Sequence, residues 1–186
     1  FSGVVCAAYL NGNVSPIGRR IMGSPFSKGK LIINCFLIGL LLNITSNAIL
    51  LIYMTQVLKI DLFADWGGSL LLMLMGNVFG ISAGLLIGTN QKLTMQRRII
   101  FSLMLNLVLS ALAGMMGTAM KGFANTFMPG FNQFNPVALM ITGFYQLNRL
   151  VGSAHLGRTY LLLGIYTLAL LGCALWRLRR TRYDSL

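Results

Sequence analysis

Acidic residues are nearly absent from this chain: among its 186 residues, only Asp61, Asp65 and Asp184 carry a carboxylate. Enzymes that use paired carboxylates for acid–base catalysis, and sites that hold Mg²⁺ or Ca²⁺, need several such side chains close together. The single histidine, His155, has no acidic residue near it in sequence. These absences argue against hydrolytic and metal-dependent chemistry, and we expect neither a catalytic residue nor a cofactor.

Cysteine is also rare. Cys6, Cys35 and Cys173 lie far apart in apolar stretches and lack the short spacing of a metal site. Because free cysteine behaves as a small hydrophobic residue when buried, we interpret all three as packing residues.

One stretch, RRIMGSPFSKGKL from Arg19 to Leu31, resembles a nucleotide-binding loop at first sight. A phosphate-binding loop has four residues between its first glycine and the Gly-Lys pair, and a Ser or Thr follows that pair. Here five residues separate Gly23 from Gly29, and Leu31 stands where the hydroxyl belongs. The stretch is therefore not an ATP site.

Apolar side chains are abundant: 56% of the residues are hydrophobic and only 10% are charged. This composition is too apolar for a soluble domain of this size and is typical of an integral membrane protein. The net charge of +12 comes from Lys and Arg that lie in short clusters between apolar runs. This pattern favours membrane topology over nucleic-acid binding, which places basic residues on a polar folded surface.

Four segments contain the roughly 20 apolar residues that a helix needs to cross a bilayer. The predicted fold is an all-α, polytopic transmembrane helix bundle that forms a single domain over 1–186. Its four full spans are predicted at 31–58, 66–89, 99–120 and 159–176. The other predicted segments are the end of a truncated span at 1–10, a cytoplasmic loop at 11–30, an outer re-entrant helical segment at 121–158 and a cytoplasmic tail at 177–186.

Lys and Arg are divided unevenly between the two sides of this arrangement. Eleven of them fall in the 11–30 loop, the loop after the second span and the tail, and four fall on the opposite side. Because basic loops stay cytoplasmic, we expect a multi-pass protein of the cell membrane with its basic loops and C-terminus in the cytoplasm. The tail is interpreted as an anchor at anionic lipid, with a specific partner site as the alternative.

Glycine recurs at every fourth residue of the second span. Gly76, Gly80, Gly84 and Gly88 share one helix face, where the backbone of another helix can approach closely. We predict that this glycine face packs against a helix of the same subunit or of a second subunit. A substrate groove is the alternative.

Amide side chains occur inside the predicted spans: Asn43 and Asn47 in the first, Asn77 in the second and Asn106 in the third. An amide in hydrocarbon needs a hydrogen-bond partner, so these residues either join helices or line a transport pathway. The spans carry no clear ionisable residue at mid-depth. This argues against an ion-coupled carrier.

The outer segment is rich in phenylalanine and contains FNPVALMITGFYQL, which begins at Phe134. Asn135 followed by Pro136 is typical of a helix start, with Asn as the N-cap and Pro at the first helical position. We predict a helix from about Pro136 to Leu150, within a re-entrant or interfacial hairpin. The hairpin either covers the bundle or forms an outer gate.

The RRIMGSPFSKGKL loop between two spans, the outer FNPVALMITGFYQL segment and the basic tail together resemble the C-terminal part of a permease subunit of the type-2 ABC export family. The resemblance covers essentially the whole chain, and Ser24-Pro25 and Asn135-to-Ala138 are moderately specific as a pair. It implies a transmembrane subunit without its own ATPase motif, which exports a substrate across the membrane. A separate ATP-binding cassette subunit would hydrolyse the ATP, and a second permease subunit would complete the pathway.

The resemblance also implies roles for individual residues. The loop is expected to dock on the ATPase through Arg19, Arg20, Ile21, Met22, Ser24 and Pro25, and Asn135 and Pro136 are expected at the outer gate. Family members often carry an acidic residue shortly before the docking element, where this chain has Asn11 and Asn13. The alternative to a permease is a protein of another functional class: a non-transporting helical scaffold or assembly protein that binds through the glycine face. A membrane-embedded enzyme would require acidic or His/Cys clusters that this stretch lacks.

Overall fold

The structure, a computed structural model, describes residues 2–9, 20, 28–60, 63–90, 93–148 and 156–180. Throughout these residues the regular structure is helical and contains no strand, which confirms the all-α class. The helices with described bounds are α1 (Ser2–Tyr9), α2 (Lys28–Ile52), α3 (Trp66–Gly88), α4 (Met95–Ala113), α5 (Thr118–Phe127), α6 (Phe131–Phe134), α7 (Pro136–Asn148) and α8 (Leu156–Arg180).

Four helical segments are long and apolar enough to cross a membrane: Gly29–Val57, Trp66–Gly88, Met95–Ala113 and Leu156–Arg177. Each overlaps one of the four predicted spans, and the bounds differ most for the third, which was predicted at 99–120. Large apolar side chains are exposed along them, for example Leu41 at 67% and Leu168 at 73%. Exposure on this scale fits helices whose outer faces contact lipid, and it supports a multi-pass membrane protein.

The third span ends at Ala113 rather than at the predicted Met120. Gly114 adopts a positive φ of 96°, and its N–H donates to the carbonyl of Ala111 at 3.0 Å. The next N–H, of Met115, reaches back to Ser110 at 3.1 Å. This pair of hydrogen bonds is the Schellman arrangement that closes a helix at a glycine, so the apolar run continues past the helix.

The first span ends in a wider turn. Tyr53–Val57 is π-helical and continues directly from α2, and Leu58 N–H donates to the Tyr53 carbonyl at 3.2 Å. The Thr55 hydroxyl donates to the Leu51 carbonyl at 2.8 Å within the same stretch. The helical rod that begins at α2 therefore extends close to the predicted end at Leu58.

The described contacts divide the chain into two compact units, and each of the four long helices contributes residues to both. The first unit takes Phe1–Ser46, Asn77–Ser102 and Tyr166–Leu186. Its core residues come from α1, α2, α3 and α8: Ala7, Ile32, Cys35, Ile81, Leu85 and Ala174. Cys35 is buried and Cys6 packs against this core, whereas Cys173 is exposed. The packing interpretation therefore holds for two of the three cysteines.

The second unit takes Asn47–Gly76 and Leu103–Ile165. Its core joins α3, α7 and α8 through the buried side chains of Leu72, Leu147 and Leu163. The Tyr160 hydroxyl donates to the Gly68 carbonyl at 3.2 Å beside this core, and an exposed bond joins the Ala64 N–H to Asn148 Oδ1 at 3.2 Å. The short helices α5, α6 and α7 belong to this unit; α5 begins at Thr118, within the predicted third span, and the rest of the three helices falls in the predicted outer segment. Their depth in a membrane stays a prediction.

Candidate functional site

The first turn of α7 is organised by the side chain of Asn135, which is only 2% exposed. Its Oδ1 accepts the N–H of Val137 at 3.0 Å, so Asn135 is the N-cap and Pro136 is the first helical residue, as the sequence predicts. The described helix ends at Asn148, and the predicted end at Leu150 lies outside the described residues.

The amide nitrogen of Asn135 anchors this helix start to its surroundings. Nδ2 donates to the Leu109 carbonyl of α4 at 2.9 Å and to Asn132 Oδ1 at 3.4 Å. Asn132 in turn donates from its own Nδ2 to Asn125 Oδ1 at 3.3 Å. One buried side chain thus ties α7 to the third span and to α5 through a chain of amides. Whether this junction acts as a gate stays a prediction.

A cavity of about 280 Å³ lies next to this junction in the second unit. Six of its seven described lining residues have polar side chains, although most of the lining surface is apolar. The lining comes from α6, α7 and α8: Asn132, Gln133, Leu139, Thr142, Gln146, Arg158 and Thr159. Gln133, Thr142 and Arg158 are exposed, so the cavity is open to the surface. The carbonyl oxygen of Gln146 is buried and has no hydrogen-bond partner within the described part of the chain.

No pattern in the sequence predicts this cavity. Thr142 and Gln146 are four residues apart on one helix and therefore share a face, which is a weak signal. Arg158 and Thr159 belong to another helix, and nothing in their sequence context indicates that they meet Gln146. The cavity is a product of tertiary packing.

The predicted docking residues lie mostly outside the described part of the chain. Arg19, Ile21, Met22, Ser24 and Pro25 fall there. Arg20 is described, and it is helical and exposed. An exposed cation at this position is accessible to a partner.

Two of the four face glycines contact α1 within the first unit. A Cβ added at Gly84 would lie 3.0 Å from the Val4 nitrogen and 3.2 Å from the Gly3 Cα. A Cβ added at Gly88 would lie 2.6 Å from the Ala7 Cβ and 2.8 Å from the Val4 carbonyl oxygen. The absence of side chains at these two positions lets the backbones of α1 and α3 approach closely.

The approach is reciprocal. A Cβ at Gly3 would lie 2.5 Å from the Ile81 carbonyl oxygen and 3.1 Å from the Leu85 nitrogen. The other two face glycines differ: a Cβ at Gly76 would meet the tip of the Met140 side chain, and Gly80 has nothing within 4 Å. The glycine face therefore divides into a close backbone contact at one end and an open position at Gly80.

The predicted pathway amides have different surroundings. Asn43 is half-buried and donates from Nδ2 to the Ser2 hydroxyl of α1 at 3.2 Å, which is an interhelical hydrogen bond. Asn47 and Asn77 are half-buried and each has an interaction partner. Asn106 is exposed on α4. Of these four amides, Asn106 is the one that is exposed.

Arg98 has an environment that the sequence did not indicate. The sequence places Arg98 in a basic stretch between two predicted spans, but its side chain is fully buried in the first unit, whereas its neighbour Arg97 is exposed. Arg98 has a partner there. We interpret it as a structural residue at the start of α4.

Comparisons with protein-family models, with curated proteins and with solved structures find no match for this chain.

Proposed function

We propose that this chain is the transmembrane permease subunit of an exporter in which a separate ATP-binding cassette subunit hydrolyses ATP. The observation that carries the proposal is the order of the helices: spans whose connecting stretches carry Lys and Arg, then a helix that starts at the capped Asn135-Pro136 pair, then a last span. The same order underlies the resemblance to type-2 ABC exporters. In this proposal the basic loops and the C-terminus face the cytoplasm.

The proposed mechanism is alternating access. Closure of the partner's nucleotide sites moves the Arg19–Pro25 loop, the movement passes into α2, and the path between two permease subunits opens on the other side. Arg20 is exposed, so it is available to the partner. The chain supplies the pathway and the docking loop, and the partner supplies the energy.

The scaffold alternative depends on a free glycine face. Gly84 and Gly88 are already in contact with α1 of the same chain, and Gly76 faces the Met140 side chain, so Gly80 is the one glycine of this face with open space beside it. We therefore favour the permease.

The docking loop can be tested in the full-length membrane protein, purified in a mild detergent with whatever protein co-purifies. We expect an ATP-hydrolysing subunit in the complex, and we expect the combined replacement of Arg19, Arg20 and Met22 by alanine to reduce its recovery at least about tenfold, as for the loss of an interface hot spot. The control replaces Lys92 and Arg97 by alanine, which removes the same number of charges from the basic stretch before and at the start of α4. A stable complex without ATPase activity, or equal losses in both variants, would contradict the docking assignment.

A second permease subunit is part of the proposal, and the face of α4 around Asn106 is a candidate contact. Asn106 is exposed, and so are its apolar neighbours Leu103 and Leu107. An amide that faced lipid in the middle of a span would have no hydrogen-bond partner, whereas a second subunit can provide one.

Replacing Asn106 with leucine is expected to raise the dimer dissociation constant in liposomes about tenfold. Two symmetry-related hydrogen bonds would be lost, each worth about 0.6–1 kcal/mol in a membrane. The measurement is energy transfer between labelled subunits as the protein is diluted into lipid. Thr45→Val is the control, because the Thr45 hydroxyl is exposed but bonds to the Leu41 carbonyl of its own helix at 2.8 Å. Unchanged association of the Asn106 variant would place the contact elsewhere.

A further inference from the structure

Helix α5 is amphipathic, with its large apolar side chains and its polar side chains on different faces. Within Thr118–Phe127, the side chains of Met120, Phe123 and Phe127 are three or four residues apart and therefore share one face. Lys121 and Asn125 are four residues apart and share the other. A helix divided in this way is suited to the boundary between an apolar and an aqueous medium.

The apolar face of α5 is left exposed by the rest of the chain. Phe123 is 55% exposed and Phe127 is 69% exposed. Their rings pack on each other with centroids 4.4 Å apart, so they form one continuous aromatic surface. A single exposed apolar side chain is common on a protein surface, whereas a contiguous group indicates a contact with another apolar medium.

Contacts with the end of the third span fix the position of α5. Helix α4 ends at Ala113, and a Cβ added at the next residue, Gly114, would lie 3.1 Å from the Lys121 Cβ. The 19 residues of α4 are about 28 Å long at 1.5 Å per residue, close to the thickness of a hydrocarbon layer of about 30 Å. The first turn of α5 therefore lies where the span leaves that layer.

The polar face indicates how α5 is oriented at this depth. Lys121 and Asn125 are both exposed. A path that re-entered the membrane would bring a charge and an amide into hydrocarbon, which is unfavourable. A helix that lies along the surface keeps both groups beside water and head groups. Met115 and Met116, which are exposed between α4 and α5, continue the exposed apolar surface of the span toward the apolar face of α5.

We propose that α5 lies along the surface of the bilayer and that lipid is the partner of its apolar face. Phe123 and Phe127 enter the boundary between head groups and acyl chains, and the Lys121 ammonium stays among the lipid phosphates. Because Asn125 accepts a hydrogen bond from Asn132 just before α7, this contact also fixes the depth at which α7 begins. The lipid contact does not depend on ATP-driven export.

Quenching of tryptophan fluorescence by brominated lipid measures the depth of each face. In the full-length protein every native tryptophan is replaced by phenylalanine, which in this chain means Trp66 and Trp176. One tryptophan is then introduced at a time: Phe123→Trp or Phe127→Trp on the apolar face, or Asn125→Trp as the control on the polar face. Variants that elute as a single species are reconstituted in phosphatidylcholine vesicles. The vesicles contain lipid brominated either near the head group or near the ends of the acyl chains.

The two faces are expected to differ. Bromine near the head group should quench Phe123→Trp and Phe127→Trp at least about twice as strongly as Asn125→Trp, because opposite faces of a surface helix differ in depth by about 10 Å. Bromine near the chain ends should quench the two apolar-face tryptophans less than bromine near the head group does. Because two positions report on the same face, a variant that fails to fold does not prevent the test.

Three results would overturn the proposal. Stronger quenching of the apolar-face tryptophans by bromine near the chain ends would show that α5 re-enters the membrane. No quenching by either lipid would show that water or another protein subunit covers the face. Equal quenching of Phe123→Trp, Phe127→Trp and Asn125→Trp would show that neither face of α5 is turned toward the acyl chains.

Discussion

Replacing Gly84 with leucine is expected to lower the free energy of unfolding by about 3 kcal/mol, the upper part of the usual range for overpacking. The new side chain would meet backbone atoms of Val4 and Gly3, which cannot rotate away as a side-chain tip can. Helix α1 would have to separate from α3. For a chain of this length the melting temperature of the full-length protein in detergent should fall by roughly 6–12 °C.

Gly80 provides the matched control for this experiment. It lies one turn away on the same helix, and a Cβ there would have nothing within 4 Å. Gly80→Leu gains helix propensity and adds an apolar side chain to an exposed position, so it should leave the melting temperature unchanged or raise it. If the two variants melted alike, the close packing of α1 on α3 would not contribute to stability.

Replacing Asn135 with alanine is expected to cost about 2–3 kcal/mol of unfolding free energy. About 1 kcal/mol is the loss of the N-cap of α7, and the rest is the loss of the bonds from Nδ2 to the Leu109 carbonyl and to Asn132. Asn135→Ser should cost about half as much, since serine can cap the helix but cannot span the distance to α4. The melting temperature gives the total, and hydrogen exchange of the Val137 amide reports the cap.

The control for this series is Asn125→Ala. Asn125 is exposed and accepts a single hydrogen bond from Asn132, so its removal should change stability by no more than about 0.5 kcal/mol. Equal losses of unfolding free energy for Asn135→Ala and Asn125→Ala would show that Asn135 contributes no more to stability than Asn125 does. Equal effects of the alanine and serine variants at Asn135 would show that the cap contributes nothing.

The four spans could be predicted from the sequence because a run of apolar residues long enough to cross a bilayer has few other structural outcomes. The start of α7 could also be predicted, since the cap chemistry of Asn135 and the fixed φ of Pro136 act within two residues. In both cases the deciding physics is local. No long-range contact was needed.

Helix ends were harder to predict. The apolar run through Met115 and Met116 suggested a span up to Met120, but the end is set by the backbone of Gly114. Gly114 and Gly117 indicate that the helix can end before Met120, but the prediction followed the continuous apolar run. At its other end, α4 begins at Met95, before the apolar run starts. Arg97 and Arg98 can join the helix because arginine is a good helix former and its aliphatic stem can lie along an apolar surface.

The cavity and the burial of Arg98 could not be predicted from local patterns. Arg97 and Arg98 are identical in type and adjacent in sequence, yet one is exposed and the other is buried. Which of them faces inward depends on the rotation of α4 against its neighbours. Gln146 and Arg158 meet at one cavity for the same reason: their relation is set by packing between helices rather than by spacing along the chain.

The spans differ enough in length that the thickness of the bilayer affects the tilt of the longest one. Gly29–Val57 has 29 residues and Met95–Ala113 has 19, so the two helices are about 43 Å and about 28 Å long at 1.5 Å per residue. The shorter helix matches a hydrocarbon layer of about 30 Å. The longer helix exceeds it and must tilt or extend beyond it, and apolar residues such as Val57 and Leu58 are exposed at its end. A thicker bilayer would cover more of that end and reduce the tilt, so hydrophobic mismatch becomes a means by which lipid composition acts on this helix.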